Sequence, residues 1–528
     1  MSDTRITMKF LPGAIGIAIA IAVWPFRAHF PFDDTFISFR YAEHVASGHG
    51  LVWNIGGPHT EGFTNLLFVL LLAVARWITS DLLAASQIIG LASTVGAGLI
   101  IYSIATEARD KQAGLLALVF FWITPLTWIN AMSGMETSLF VMLCALAILL
   151  ALRNQYVAAS AMAFLATLTR PEGALLGVII FIAGVRFESL PRGSIRRTLK
   201  GTPTIGSATK STATKAALAF VIGLAVYALW KWWYFGELLP NSFYVKVLSS
   251  SRAMFPGLQY VRLFVMSALV LIALSFGVRG WRTPAIMIAG LWAISLLAFY
   301  IFVLPLEGLY DRFLWPAFSM LCITAAVGAR DFSMRRKLRP FVIVATLAIG
   351  IQFTVSILSP RTKQSLAAHE EIWDASMNPI VRELRLLPHF DSLRLAYGDA
   401  GYVVYKSGIH HIDLFGLNDT RIAHAHSIAM REAIVQSERP DILLLPVYSH
   451  DRSSMRDSCE DFVEDAYGLA RTREFEPIAS TDAFPFRLVW LLNIHSRYYA
   501  DCKREMLRRI TDSTGALDPP PAMCYSTR

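Results

Sequence analysis

The sequence predicts a polytopic α-helical membrane protein that ends in an α/β domain outside the cytoplasm. Three observations predict it. Over 528 residues the chain is 55% hydrophobic and 16% charged, with a mean hydropathy of +0.47, a balance that lipid-facing helices require and a soluble core does not. Runs such as LVLIALSF and FVIVATLAIGI recur through residues 1–358. From 359 to 528 the sequence turns polar, and short strand-like runs alternate with helix-like segments.

The net charge of +9 is distributed as a topology signal. Its basic residues lie mostly in short loops between apolar spans, not in one patch interleaved with aromatics, so nucleic acid is excluded as a partner. The five cysteines have no metal-ligand spacing. Cys144 and Cys322 fall in apolar runs as small core residues, while Cys459, Cys502 and Cys524 leave room for one disulfide in an exported domain.

Arg5 and Lys9 precede an apolar stretch that continues to Phe26. Ala18, Ala20 and Ala22 stand at cleavage-like spacing, but Val23, Trp24, Pro25 and Phe26 keep the apolar character going, which favours an uncleaved first span. Either way the polar loop at 30–64 lies outside. The run LLFVLLLAVA at 66–75 is too short for a standard span and reads as an interfacial helix covering about 65–78. With that parity, later spans fall near 83–105, 113–130, 137–152, 156–169, 173–185, 216–234, 262–278, 284–304, 313–329 and 341–358. Arg186, Arg192, Arg196, Arg197, Lys200, Lys210 and Lys215 are then cytoplasmic, as are Arg279, Arg282, Arg330, Arg335, Arg336, Lys337 and Arg339. The expected topology is about 11 spans, with the N-terminus inside and the C-terminal domain outside. Residues 1–358 form the transmembrane domain and 359–528 the extracytoplasmic one. Strand-like runs stand at 393–396, 403–405, 442–445 and 488–492, with a helix-like segment at 378–387.

This topology brings the polar oddities of the sequence to the outer face. They are the loop 30–64, SGME at 133–136, TRPEG at 169–173, FGELLPNSFYVK at 235–246 and EGLYDR at 307–312. Charged groups at a membrane boundary are costly unless paired or functional. Transfer of a sugar from a lipid phosphate to a hydroxyl needs a carboxylate to take the proton and cations to hold the phosphate. Asp33 or Asp34 supplies the first; Arg170, Lys246 and Arg312 supply the second. A helix starting at Asp33 would place Arg40 and His44 on its face, with Gly48 as its stop.

Each residue also has a structural reading. Asp33 or Asp34 serves equally as the N-cap of a helix over 35–47. Arg40 suits a structural ion pair, Glu136 and Arg170 suit helix ends, and Lys246 suits an interfacial snorkel. His44, His49 and His59 suit hydrogen-bonded loop positions. Trp232, Trp233 and Tyr234 suit an interfacial belt.

The string DDTFISFRYAEHVASGHGLVWNIGGPHTEGFTN, with SGMETSLF, LTRPEG and YFGELLPNSFYVK, resembles the bacterial GT-C glycosyltransferases related to mycobacterial terminal arabinofuranosyltransferases. The resemblance implies an inverting enzyme that uses a polyprenyl-phosphate sugar, with an acid of the first outer loop as base. By position Asp33 takes that role and Asp34 is the second acid; Arg40, His44, Glu61, Glu136, Arg170, Lys246 and Arg312 are the substrate-binding candidates. YGDAG at 397–401 and IDLFGL at 412–417 also look like relatives of this group, with a turn-rich strand pair as their structural reading.

The leading expectation is therefore a plasma-membrane glycosyltransferase moving a sugar, arabinofuranose by resemblance, to an extracytoplasmic glycan or protein. A protein O-glycosyltransferase differs only in its acceptor. A lipid-linked-sugar transporter or flippase would call for midplane charges and internal symmetry, which the sequence does not clearly display. The sequence leaves two ways to hold the phosphate: Asp33, Asp34 and Glu61 offer oxygen ligands to a divalent cation, and Arg and Lys can also hold it alone.

Overall fold

Short polar side chains start two of the first helices. The computed structural model describes residues 3–188, 208–245, 257–280, 283–303, 311–334, 377–449, 460–462, 474–483, 486–512 and 516–520. Nine helices open the chain: α1 (Asp3–Val23), α2 (Thr35–Ala46), α3 (Leu66–Arg76), α4 (Leu82–Ala108), α5 (Lys111–Trp122), α6 (Pro125–Met132), α7 (Thr137–Leu152), α8 (Tyr156–Thr169) and α9 (Gly173–Glu188). The Asp81 carboxylate accepts the Ala84 N–H at 3.0 Å and starts α4; Asp110 does the same for α5 through Ala113 at 3.0 Å. Such caps satisfy backbone donors that the helix itself leaves free.

The chain divides into two compact units. The first comprises Met1–Pro31, Thr64–Leu238 and Ser250–Thr362 and is helical. Among its described residues, four helical stretches are long and apolar enough to cross a membrane: Leu11–Ala28, Leu82–Ala108, Thr212–Phe235 and Pro284–Phe302. Two bent pairs raise the number to six: α5 with α6 at 59°, and Leu258–Ser267 with Leu269–Ser275 at 72°. The first bend falls at Pro125, where proline removes a backbone donor. Thr127 Oγ1 then donates to the Phe121 carbonyl at 2.6 Å and Trp128 Nε1 to the Trp122 carbonyl at 2.8 Å. Side chains thus serve carbonyls that the helix no longer does, as an apolar surrounding demands.

The expected interfacial helix is α3, 11 residues long. The expected short spans at 137–152 and 156–169 are α7 and α8, and that at 173–185 is α9. The expected span at 341–358 lies outside the described residues. Glycines let these helices approach closely: a Cβ on Gly90 would stand 2.0 Å from the Ala131 carbonyl oxygen, and one on Gly328 would stand 1.9 Å from that of Leu274.

The second unit comprises Phe32–Phe63, Leu239–Ser249 and Lys363–Arg528. The polar loop of the sequence therefore folds with the C-terminal sheet. That sheet has six strands: β1 (Arg394–Tyr397), β2 (His410–Asp413), β3 (Ile442–Ser449), β4 (Glu460–Phe462), β5 (Phe475–Ala483) and β6 (Phe486–Asn493). The order is β2-β1-β3-β6-β5, with β4 beside β3. β1 is parallel to both β2 and β3, whereas β6 is antiparallel to β3 and β5. Ile442, Leu443, Leu444 and Leu445 are all buried, as expected of a central strand covered on both faces.

Three expectations from the sequence are corrected: the runs at 113–130 and 262–278 are each two helices meeting at a bend, and 403–405 is not a strand. Residues 403–405 belong to a helix, Tyr402–Ser407, not to a strand. Parallel strands need a crossover, and this helix makes the one between β1 and β2. Gly408, at φ +78°, ends it. Cys144, Cys322 and Cys502 are buried free thiols; Cys459 and Cys524 lie outside the described residues.

A buried ion pair lies within this unit. Arg509 donates through Nε to Glu383 Oε2 at 2.6 Å and through Nη2 to Oε1 at 3.0 Å, and the Ala516 N–H adds a bond at 3.0 Å. Arg509→Met leaves the buried Glu383 charge with only the Ala516 N–H and the exposed Arg382, whose Nη2 is 3.5 Å from Oε1. Thermal or denaturant melting of the full chain in detergent is expected to record a loss of about 3–5 kcal/mol from the sheet-containing unit; an unchanged melt would mean the pair contributes nothing.

Candidate active site

Asp33 and Asp34 immediately precede α2, and the structure separates their roles. Asp34 occupies the N-cap position, yet its side chain makes no capping bond. The Asp33 carboxylate reaches to the C-terminal end of β1 instead. Its Oδ1 accepts the Tyr402 N–H at 2.8 Å, and it is hydrogen-bonded to the Asp399 carboxyl. Gly401 makes room for it, since a Cβ there would fall 1.6 Å from Asp33 Oδ2. Burial, then the Asp399 carboxyl, push Asp33 well above the usual carboxylate range. Burial raises Asp399 as well, Asp34 adding to the rise while the bond to Asp33 opposes it. Taken as whole residues, both are half-buried.

Two sequence candidates on α2 are held by backbone. Arg40 is buried, and its Nε donates to the Trp53 carbonyl at 2.8 Å and Nη1 to that of Val404 at 2.9 Å. Nη2 donates to Asn54 Oδ1 at 3.1 Å and to the Ile409 carbonyl at 3.0 Å. Burial lowers its pKa to about 10. His44 Nδ1 bonds the Val52 carbonyl at 2.8 Å. Glu61 is buried, and its backbone carbonyl accepts the Asn241 N–H at 3.1 Å.

The stitching continues beyond Arg40. Trp53 Nε1 donates to His411 Nδ1 at 3.1 Å, which leaves Nε2 as the protonated nitrogen donating to the Tyr397 carbonyl at 2.9 Å. The Tyr41 hydroxyl donates to Asn418 Oδ1 at 3.1 Å, and Asn418 Nδ2 donates to Asp413 Oδ2 at 2.9 Å. Asp413 also accepts the N–H groups of Phe415, Gly416 and Asn418. Burial raises it to about 6.

The remaining candidates belong to the helical unit. Arg170 and Glu136 form a buried ion pair, Nε to Oε1 at 2.7 Å. Asn65 Nδ2 donates to Glu136 Oε2 at 2.9 Å, while Arg170 Nη2 donates to Thr137 Oγ1 at 3.0 Å and Nη1 to the Arg312 carbonyl at 3.3 Å. Arg312 is buried with its guanidinium 4.8 Å from the Phe313 ring centroid. Lys246 lies outside the described residues. Among the described residues no group of three or more His, Cys, Asp or Glu is arranged to hold a metal ion, so Asp33, Asp34 and Glu61 do not form such a group.

Asp399, His411, Asp413 and Asn418 were missing from the sequence candidates. The signal for Asp399 was an acid in a glycine-containing turn after an apolar run, in YGDAG. Nothing in the sequence tied it to Asp33, 366 positions away.

The fold is similar to those of two solved proteins. ArnT from Cupriavidus metallidurans, solved bound to undecaprenyl phosphate, is similar with a TM-score of 0.56 and 14% identity, over 92% of this chain and 98% of ArnT. Its apo form gives 0.54 and 12%, over 94% and 99%. The Archaeoglobus fulgidus oligosaccharyltransferase in its apo form gives 0.52 and 12%, over 83% of this chain and 70% of that one. At such identities the likeness concerns the fold. Residues 60–310, just under half of the chain, match the family described as GPI transamidase subunit PIG-U, and residues 381–492 match a domain of unknown function, DUF8728. No curated protein matches the chain in sequence.

His411 yields a pH prediction. Burial lowers its pKa from 6.5 to about 3, so between those values the unfolded chain binds a proton that the folded one refuses. Stability therefore falls with pH across that window, with a slope approaching about 1.4 kcal/mol per unit. His411→Gln should be less stable at pH 7 but lose this part of the acid sensitivity in melts from pH 7 to 4. Asp413 acts with the opposite sign and is present in both proteins. Parallel acid profiles would contradict the assignment.

Proposed function

We propose that the chain is an inverting glycosyltransferase of the bacterial plasma membrane, with its active site and C-terminal unit outside the cytoplasm. It moves a sugar, arabinofuranose by the resemblance of its motifs, from a polyprenyl-phosphate donor to an extracytoplasmic glycan or protein. The observation that carries this reading is the Asp33 carboxyl: half-buried, raised in pKa and held by the Tyr402 N–H. A general base works best when its pKa approaches the operating pH. The occurrence of undecaprenyl phosphate on ArnT, which shares the fold, supports a lipid-phosphate donor.

In this reaction the acceptor hydroxyl passes its proton to Asp33 as its oxygen bonds the anomeric carbon. The bond from that carbon to the phosphate oxygen breaks, and polyprenyl phosphate departs with the electron pair. A single displacement inverts the centre. Arg312 and Lys246 are the proposed partners of the phosphate on charge. Arg170 has its guanidinium committed to Glu136, Thr137 and the Arg312 carbonyl, so its part is to keep that cluster in place.

The match to a GPI transamidase subunit favours a second reading, in which the chain is a membrane subunit of a larger enzyme. Purified full-length chain supplied with polyprenyl-phosphate arabinose and cell-envelope glycan separates the two. Transfer by the chain alone supports the enzyme; transfer only with a co-purifying protein supports the subunit. Asp33→Asn is expected to fold, insert and lose at least about 10²-fold in turnover, and near-normal turnover would sink the base assignment.

A further inference from the structure

The loop that joins β1 to the helix Tyr402–Ser407 does more than complete a crossover. It offers Asp33 a backbone donor from Tyr402, a side-chain partner in Asp399, and at Gly401 a position where any Cβ would overlap the Asp33 carboxylate. Two carboxyls in hydrogen-bond contact cannot both be ionised cheaply, because like charges at that separation repel and an ionised carboxylate has no proton to donate. We infer that Asp399 is a positioning residue for the proton acceptor: it and Asp33 hold one proton between them, so the pair takes the hydroxyl proton as a unit. This rests on the reading of Asp33 as base.

The surroundings fit a pair of net charge −1. The charged groups on the packed elements are Asp34, Arg40 and Glu43 on and before α2, and Lys406 on the short helix. Asp34 raises the acidic pair, whereas Arg40 is committed to the carbonyls of Trp53, Val404 and Ile409 and to Asn54. Glu43 accepts the Tyr405 hydroxyl at 2.9 Å, and Lys406 lies over the Tyr402 and Tyr405 rings at 5.9 and 5.7 Å. In the resting state one proton lies between the two carboxyls, and Asp33 Oδ1 also receives the Tyr402 N–H. The acceptor hydroxyl transfers its proton to Asp33, which leaves both carboxyls neutral. One proton returns to water after the product departs.

The test uses the full-length chain in detergent with a polyprenyl-phosphate sugar, and reads kcat/KM against pH for Asp399→Asn, Asp399→Glu and Asp33→Asn. Asp399→Asn still donates a hydrogen bond but cannot share a proton, so the acid limb should move to lower pH by about one unit or more, with KM little changed. Asp399→Glu should restore the wild-type limb. A limb that stays put in Asp399→Asn, whether turnover is normal or uniformly reduced, overturns the inference. Infrared spectra of the wild type should contain a protonated-carboxyl band at pH 7 that Asp33→Asn loses, and its absence would overturn the inference even if Asp399→Asn fails to fold. Turnover retained by Asp33→Asn defeats the base reading itself. An inactive Asp33→Asn beside an unmoved Asp399→Asn limb defeats only the sharing of the proton.

Discussion

The second unit depends on one buried cation. Arg40 is held by three backbone carbonyls and an asparagine oxygen drawn from the loop after α2, from the helix Tyr402–Ser407 and from Ile409. Several donors in a fixed planar fork can tie segments far apart in sequence, which a lysine cannot do. Because the bonds go to carbonyls, the arrangement fixes backbone paths. Asp33, seven residues earlier, is thereby set against the end of β1.

That placement changes the chemistry available to Asp33. An acid in a solvated loop would titrate in the ordinary range and wander among rotamers. Held between the Tyr402 N–H and Asp399, it keeps one orientation and a raised pKa. The glycines of YGDAG matter for the same reason, since at Gly401 a side chain would occupy the space of the carboxylate. The YGDAG turn and the DDTF stretch are two halves of one local structure.

The helical unit solves a different problem, that of keeping charges among apolar helices. Arg170 and Glu136 share their ion pair with Asn65, Thr137 and a carbonyl, so each charged atom has a partner. A pair so thoroughly hydrogen-bonded resists being opened, because either charge left alone would be buried. Its two residues were read from the sequence as substrate contacts or helix caps; the geometry makes them neighbours first.

By itself the sequence determined the parts governed by local physics. Hydropathy located α3, α4, α7, α8 and the helices of the first unit, since apolar length and helical period are written residue by residue. The bend at Pro125 went unread inside the run at 113–130, whereas glycine marked the end of α2 near Gly48, because it acts through its own backbone. The adjacent acids Asp33 and Asp34 stood out for the same reason. Only the tertiary structure decided that Asp33 meets Asp399 and the Tyr402 N–H. It alone decided that 403–405 forms a helix and that the polar loop belongs with the C-terminal sheet. Those outcomes follow from contacts between segments hundreds of residues apart, and no local pattern of side chains encodes them.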